Sequence, residues 1–275
     1  MSTVYTKIIR PKKSFSTADL TELWEYRELL YFFAWRDIKV RYKQTVVGIM
    51  WAVFQPFITM VVFTVIFGKL AHLPSEGVPY PVFVYSGLLF WQFFTSSLSE
   101  SSNTLISNAS IVTKVYFPRL LLPLADTVTK LVDFSFAALI MAGLMVYYQI
   151  LPTIVGVLLV PLLLLLAFLP AVGTGLILSS INVRYRDVRY VLPFFLQLLI
   201  FITPVIYPTS IAGKYAWILY LNPMTGVINN ARIGLLGTGS LDWTALATSA
   251  LIGIVLFIIG VFVFKKTERI FADIV

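Results

Sequence analysis

The chain has 275 residues, 59% of them hydrophobic and 12% charged, with a mean hydropathy of +0.87. Soluble domains carry about 25% charged residues, so charge this sparse excludes an ordinary soluble globule and implies an all-α protein that crosses a membrane repeatedly. The net charge of +8 does not mark a nucleic-acid binder, because the basic residues flank apolar segments and do not gather on one face.

Residues 1–18 read as a polar tail. Lys7, Arg10, Lys12 and Lys13 stand there without the apolar stretch of a signal peptide. Asp19 with Glu22 three residues later has the pattern of a capping box, so a helix is predicted from there. Along it Leu20, Leu23, Trp24, Leu30, Tyr31, Ala34, Trp35 and Ile38 follow helical spacing, and Glu22, Glu25, Arg36, Lys39 and Lys43 oppose them. Trp24, Arg27, Trp35, Arg36, Lys39 and Arg41 suit an amphipathic helix on a membrane surface. The same pattern also suits a helix packed on the protein itself. Tail and helix make a first region, 1–45.

Six transmembrane helices are predicted over 46–264, at about 46–67, 82–98, 120–148, 152–181, 190–206 and 244–264. Pro56 is expected to kink the first, and Pro161 or Pro170 to tilt or break the fourth. The polar run Ser99–Thr113, continued to Arg119, reads as a loop, and Asn182–Arg189 as a basic loop. Residues 207–242 are too polar and too interrupted by Pro and Gly to cross in one pass. They are predicted as broken, re-entrant helices before the last span. A basic cytoplasmic C-terminal tail, 265–275, follows. Seventeen Lys and Arg fall on the side of both termini. Lys69, Lys214 and Arg232 fall on the other, and Lys130 lies within a span. That asymmetry places both termini in the cytoplasm.

There is no cysteine and one histidine, His72, so thiolate chemistry and a His- or Cys-ligated metal are excluded. No G-x-x-x-x-G-K-[ST] phosphate loop, G-x-S-x-G or H-E-x-x-H motif occurs. Asp126, Lys130 and Asp133 share one helix face and form either a self-neutralising ion network or a proton relay. Tyr80, Phe83, Tyr85, Tyr207, Tyr215, Trp217 and Tyr220 form either an interfacial aromatic belt or stacking surfaces for sugar rings. Within the first span, positions 51, 54 and 58 share a face, so Trp51 and Phe54 are the better candidates for a pore position, and Tyr80, Tyr207 and Tyr215 could continue the path at its exit.

WEYRELLYFFAWRDIKVRYKQTVVGIMWAVFQP resembles the N-terminal signature of ABC-2-type permeases that export bacterial surface polysaccharides. NVRYRDVRYVLPFFLQ, TPVIYP and LNPMTGVINNAR resemble later segments of that family, in the same order. The resemblance implies a multi-pass bacterial inner-membrane protein that is a transport subunit and not an enzyme. It implies a homodimer with two copies of a cytoplasmic ABC ATPase, which carries the ATP and Mg, while this chain carries no cofactor. It implies that the helix Leu20–Lys43 rests on the ATPase and that Ser107–Arg119 is a coupling helix, with Ser107, Ile111, Lys114, Tyr116 and Arg119 at the contact. The first and fifth spans are expected to line the pore. The cargo implied is a lipid-linked polysaccharide, with O-antigen on a polyprenyl diphosphate favoured. Teichoic acid or capsule is the near alternative, and an ABC-2 drug exporter, a membrane glycosyl- or acyltransferase, or a scaffold is more distant. Membrane lipids are the remaining partners.

Overall fold

The computed structural model describes residues 17–43, 46–185 and 187–274, with side chains from 21 onward except 46–52, 269, 270 and 272–274. The tail before residue 17, Arg186, and the side chains of Asp19, Trp51 and Arg269 therefore lie outside the described residues. Among the described residues every regular element is helical: α1 (Thr17–Glu25), α2 (Arg27–Lys43), α3 (Val46–Phe63), α4 (Tyr80–Ser107), α5 (Ala109–Val112), α6 (Leu121–Tyr147), α7 (Ile154–Asn182), α8 (Val188–Ile202), α9 (Ala216–Tyr220), α10 (Pro223–Leu236) and α11 (Trp243–Ile274). A π-helical stretch, Thr64–Leu70, extends α3, and a 3₁₀ stretch, Thr209–Tyr215, precedes α9.

The surface helix expected from residue 19 is two helices parted at Tyr26. α7 runs unbroken through both Pro161 and Pro170. The polar run Ser99–Ser107 is the last third of α4 and not a loop. Serine and asparagine compete with helix in water, but here they are sheltered and several are bonded. Ser102 Oγ donates to Ser99 O at 2.7 Å, and Asn182 Nδ2 from α7 donates to Ser102 O and Asn103 Oδ1 at 3.0 and 3.1 Å. The stretch read as a C-terminal tail continues α11 to Ile274.

Four segments are long and apolar enough to cross a membrane: Val53–Leu70, α6, α7 and Trp243–Glu268 of α11. α4 is long enough but too polar in its second half, which is covered by protein. α8, with 15 residues, reaches about 22 Å, short of the ~30 Å hydrocarbon core. Length and composition alone thus support four of the six expected spans.

α4 is the centre. Val82 to Leu98 is buried along nearly its whole circumference, against α6, α7 and α10. α7 in turn carries α11 and α10. These approaches are close enough to need glycine. A Cβ on Gly260 of α11 would lie 2.2 Å from Gly173 O of α7, and one on Gly156 would lie 1.9 Å from Gly234 O of α10. Small residues at crossings let helices meet backbone to backbone, which is how helices associate where lipid removes the hydrophobic drive. A second apolar cluster, with Phe33, Leu105, Phe117, Leu121, Leu176, Phe264 and Phe271, closes the end that carries α2 and the last turns of α11.

The region 207–242 forms short helices, as its composition demands. α10 starts under Asn222, whose side chain accepts from Met224 N–H at 2.9 Å with Pro223 at the first position. It ends at Gly237, whose φ of 71° is the left-handed conformation that glycine adopts without strain. α10 is buried among α4, α7 and α11.

Candidate functional site: a polar groove and a docking face

An open groove of about 620 Å³ lies between α3, α4 and α8. α3 supplies Gln55 and Thr59. α4 supplies Trp91, Gln92, Thr95, Ser96 and Ser99, and α8 supplies Pro193, Leu196, Gln197, Ile200 and Phe201. The hydroxyls satisfy themselves locally: Thr59 on Gln55 O at 2.9 Å, Thr95 on Trp91 O at 3.0 Å, Ser96 on Gln92 O at 2.7 Å. Among the described residues the amides of Gln55, Gln92 and Gln197 have no protein partner. Unpaired amides in hydrocarbon are expensive, so the groove suits water or a polar cargo.

Of the candidate path residues, Phe54 is exposed beside Gln55 but does not line the groove. Tyr80 is 8% exposed and spends its hydroxyl on Ile206 O at 2.7 Å, so it is a packing residue and not an exit surface. Tyr207 donates to Phe201 O and Ile202 O, both at 3.1 Å, and so caps the end of α8. Tyr215 is exposed under Lys214, whose ammonium lies 5.1 Å from the ring centre. These rings are not brought together, and the groove's aromatic residues are Trp91 and Phe201. The three glutamines left a trace in the sequence, one amide inside each of AVFQPF, FWQFF and FLQLL.

Two of the three charges of α6, Lys130 and Asp133, pair with other helices. Lys130 Nζ pairs with Glu100 Oε1 of α4 at 2.7 Å. Asp133 pairs with Arg41 at 3.1 Å and accepts a short hydrogen bond from the Tyr42 hydroxyl. Burial first, and then that bond to Asp133, push the Tyr42 phenol well above its ordinary value. The network is interhelical because side chains on one face at this spacing point outward together, towards whichever helix packs there. It fastens α2 and α4 to α6.

At the same end, α2 and the 107–119 stretch form one surface. Phe33 meets the edge of Phe117 at 5.4 Å, Arg36 Nη2 donates to Asn108 Oδ1 at 3.0 Å, and Tyr116 donates to Glu22 at 3.3 Å. Arg36 also pairs with Asp37 at 2.7 Å. Burial and then Glu22 raise the Tyr116 phenol above its usual value. α2 packs on the protein itself through one side. Phe33 and Ala34 are buried on protein, while Trp24, Tyr31, Phe32 and Trp35 are exposed on the other side. Ser107, Lys114 and Tyr116 are exposed, Ile111 is half-buried, and Lys39 and Arg41 are exposed along α2. Arg119 departs from its expected role. Its guanidinium donates to Glu268 O, its backbone N–H to Glu268 Oε1 at 3.2 Å, and it lies 5.8 Å from the Phe271 ring centre. It binds the stretch to α11 and does not project from it.

Sequence reasoning also missed the buried Arg232 of α10, 1% exposed. Its guanidinium donates to Phe83 O at 3.3 Å, Pro204 O at 2.7 Å, Tyr207 O at 3.3 Å and Val205 O, and sits 3.8 Å over the Phe83 ring.

Residues 28–236 match the family described as ABC-2 type transporter. The chain belongs to the ABC-2 type transporter family. This ABC-2 chain is 29% identical over 248 residues to the O-antigen export system permease protein RfbA of Klebsiella pneumoniae, covering 90% of this chain and 95% of that one. A protein of the same name from Myxococcus xanthus is 29% identical over 256 residues, covering 92% and 97%. The polysialic acid transport protein KpsM of Escherichia coli is 25% identical over 241 residues, covering 85% and 91%. The family match spans the groove, the α6 charges and Arg232 alike.

Proposed function

We propose that the chain is the membrane subunit of an ATP-driven exporter of lipid-linked polysaccharide in a bacterial inner membrane, a transport subunit and not an enzyme. The observation that carries this is the groove: amides and hydroxyls of three helices, set in otherwise apolar spans and open on one side. A glycan needs a polar path that does not grip any one hydroxyl pattern, and scattered glutamines with Trp91 and Phe201 provide that. The exposed apolar faces of α3 and α8 flank the opening, which suits a second copy of the chain closing the groove into a channel. Six crossings, with both termini in the cytoplasm, agree with the basic asymmetry.

ATP and Mg would be held by a separate ATPase, two copies per dimer, docked on α1, α2 and the exposed Thr113–Tyr116 tip. An O-antigen chain on a polyprenyl diphosphate is the favoured cargo, because identity and coverage are higher for the relatives named as O-antigen permeases than for the polysialic acid transport protein. A capsule polysaccharide is the second reading, resting on that last relative.

Vesicles holding this chain and its ATPase should move lipid-linked glycan on ATP addition. Gln92→Leu and Gln197→Leu should each slow transport about tenfold, the equivalent of roughly 1.4 kcal/mol, with assembly and ATP hydrolysis retained. Undiminished transport by the triple variant with Gln55→Leu would remove the groove from the path.

A further inference from the structure

Away from the groove, a second recess of about 370 Å³ opens between α6, α7 and α11, at the end of the bundle that carries α1 and α2. Leu23 of α1 lines it together with Leu176 of α7 and the first turn of α6. Its lining is aliphatic, aromatic and proline side chains throughout, so nothing in it could hold a polar solute.

The register of α11 indicates the occupant. α11 gives Phe257, Ile258, Val261 and Phe262 to the recess. Lys265 and Lys266 follow Val261 and Phe262 by four residues, on the same side and about 6 Å further along the helix. Lys266 is exposed, and Lys265 pairs with Glu268 at 3.0 Å. Arg119, beside the lining residue Leu120, is bonded to the same Glu268, which leaves that carboxylate compensated. Glu22, next to Leu23, accepts from Tyr116. An apolar slot that ends in two ammonium groups matches the division between acyl chain and phosphate in a lipid.

We propose that this recess binds an anionic phospholipid from the leaflet on the side of the termini, with one acyl chain along Phe257–Phe262 and the phosphate at Lys265 and Lys266. Leu23 then rests on lipid, so the lipid is part of the seat of α1.

The test uses the full chain in vesicles containing phosphatidylglycerol with a photoactivatable group in its acyl chain, and maps the labelled peptides. Label should concentrate on the peptides around Leu124, Leu176 and Phe262. Excess phosphatidylglycerol should remove it, and the same amount of phosphatidylcholine should not. Ile258→Trp fills the mouth from an exposed position and should abolish this label. Label on the exposed positions around Leu139 of α6 and Leu158 of α7, away from the recess, should persist and report an intact fold. Lys265→Ala with Lys266→Ala should erase the preference for phosphatidylglycerol. The proposal is overturned by label spread evenly over all exposed helices, by equal competition from phosphatidylcholine, by unchanged preference in the lysine variant, or by competition from a polyprenyl phosphate but not from phosphatidylglycerol.

Discussion

Lys130 of α6 and Glu100 of α4 meet at 2.7 Å, with the lysine side chain 3% exposed and the glutamate 52%. The pair is therefore asymmetric. Glu100→Met strands an ammonium inside protein and should cost roughly 1–3 kcal/mol. Lys130→Met leaves a carboxylate that still reaches water and should cost less. The double variant should recover most of the difference. Apparent Tm of the detergent-solubilised chain reads this out, and equal losses from the two single variants would refute the asymmetry. Transport that collapses with the proton gradient while ATP is saturating would reassign the α6 charges to a relay.

Arg232 joins α10 to carbonyls of both α4 and the 203–207 turn. Arg232→Leu strands buried carbonyls, each worth roughly 1–3 kcal/mol, and should abolish accumulation of the protein. Arg232→Lys should rescue only part, because an ammonium cannot reach as many acceptors as a planar guanidinium. Normal accumulation of Arg232→Leu would show that the turn holds without it.

The proposed docking face predicts a split between two basic residues of the 107–119 stretch. Lys114→Glu lies on the exposed tip and should weaken ATPase binding by about 1 kcal/mol, roughly fivefold, with normal folding. Arg119→Glu faces Glu268 and should instead loosen the end of α11 and lower accumulation. A pull-down with the partner ATPase and a thermal melt separate the two effects. Identical profiles for both variants would contradict the geometry.

Asp242 precedes α11 and anchors its start. Burial pushes its carboxyl up, but bonds from Ala245 N–H, Thr244, Tyr220 and Asn229 outweigh it and hold the group below its ordinary range. A depressed folded value gives stability that is present above the unfolded value and lost as pH falls through the folded one. Protection of the α10 amides, their exchange relative to the intrinsic rate at each pH, should therefore fall only at pH below the ordinary carboxylate range. Asp242→Ala should bring that loss of protection to neutral pH, at a cost of about 1 kcal/mol for the lost cap. Exchange in the variant that stays slow at neutral pH would refute the anchor.

Orientation is testable because the chain has no cysteine of its own. Thr113→Cys should react with an impermeant maleimide only in inside-out vesicles, and Ser210→Cys only in right-side-out ones. Reversed labelling would invert the topology, and same-side labelling of both would change the parity of the crossings between them.

Hydropathy made α6, α7 and α11 legible, because an apolar run has one explanation when it is long enough. It failed for the second half of α4, where serines and asparagines signal a loop in water and a buried helix inside protein. Nothing local separates the two. The same limit applies to the α6 charges: spacing showed a shared face but could not say which helix packs on it. Tyr80 was misread for a different reason. A tyrosine ring is equally good at stacking a sugar and at filling a core, and only the hydroxyl's partner, Ile206 O for Tyr80, decides. Arg232 looked like an outer-loop charge because its carbonyl partners come from segments remote in sequence.

α11 is one unbroken helix of 32 residues, about 48 Å long. Its first end is clamped to α10, where Asp242 N–H donates to Asn230 Oδ1 at 2.9 Å and Asn230 Nδ2 donates to Asp242 O at 3.1 Å. Its other end is held by Arg119 through Glu268. A stiff rod gripped at both tips behaves as a lever. A tilt imposed where the 107–119 stretch is pushed must appear at the α10–α11 junction, and the two cannot shift separately while the helix stays straight.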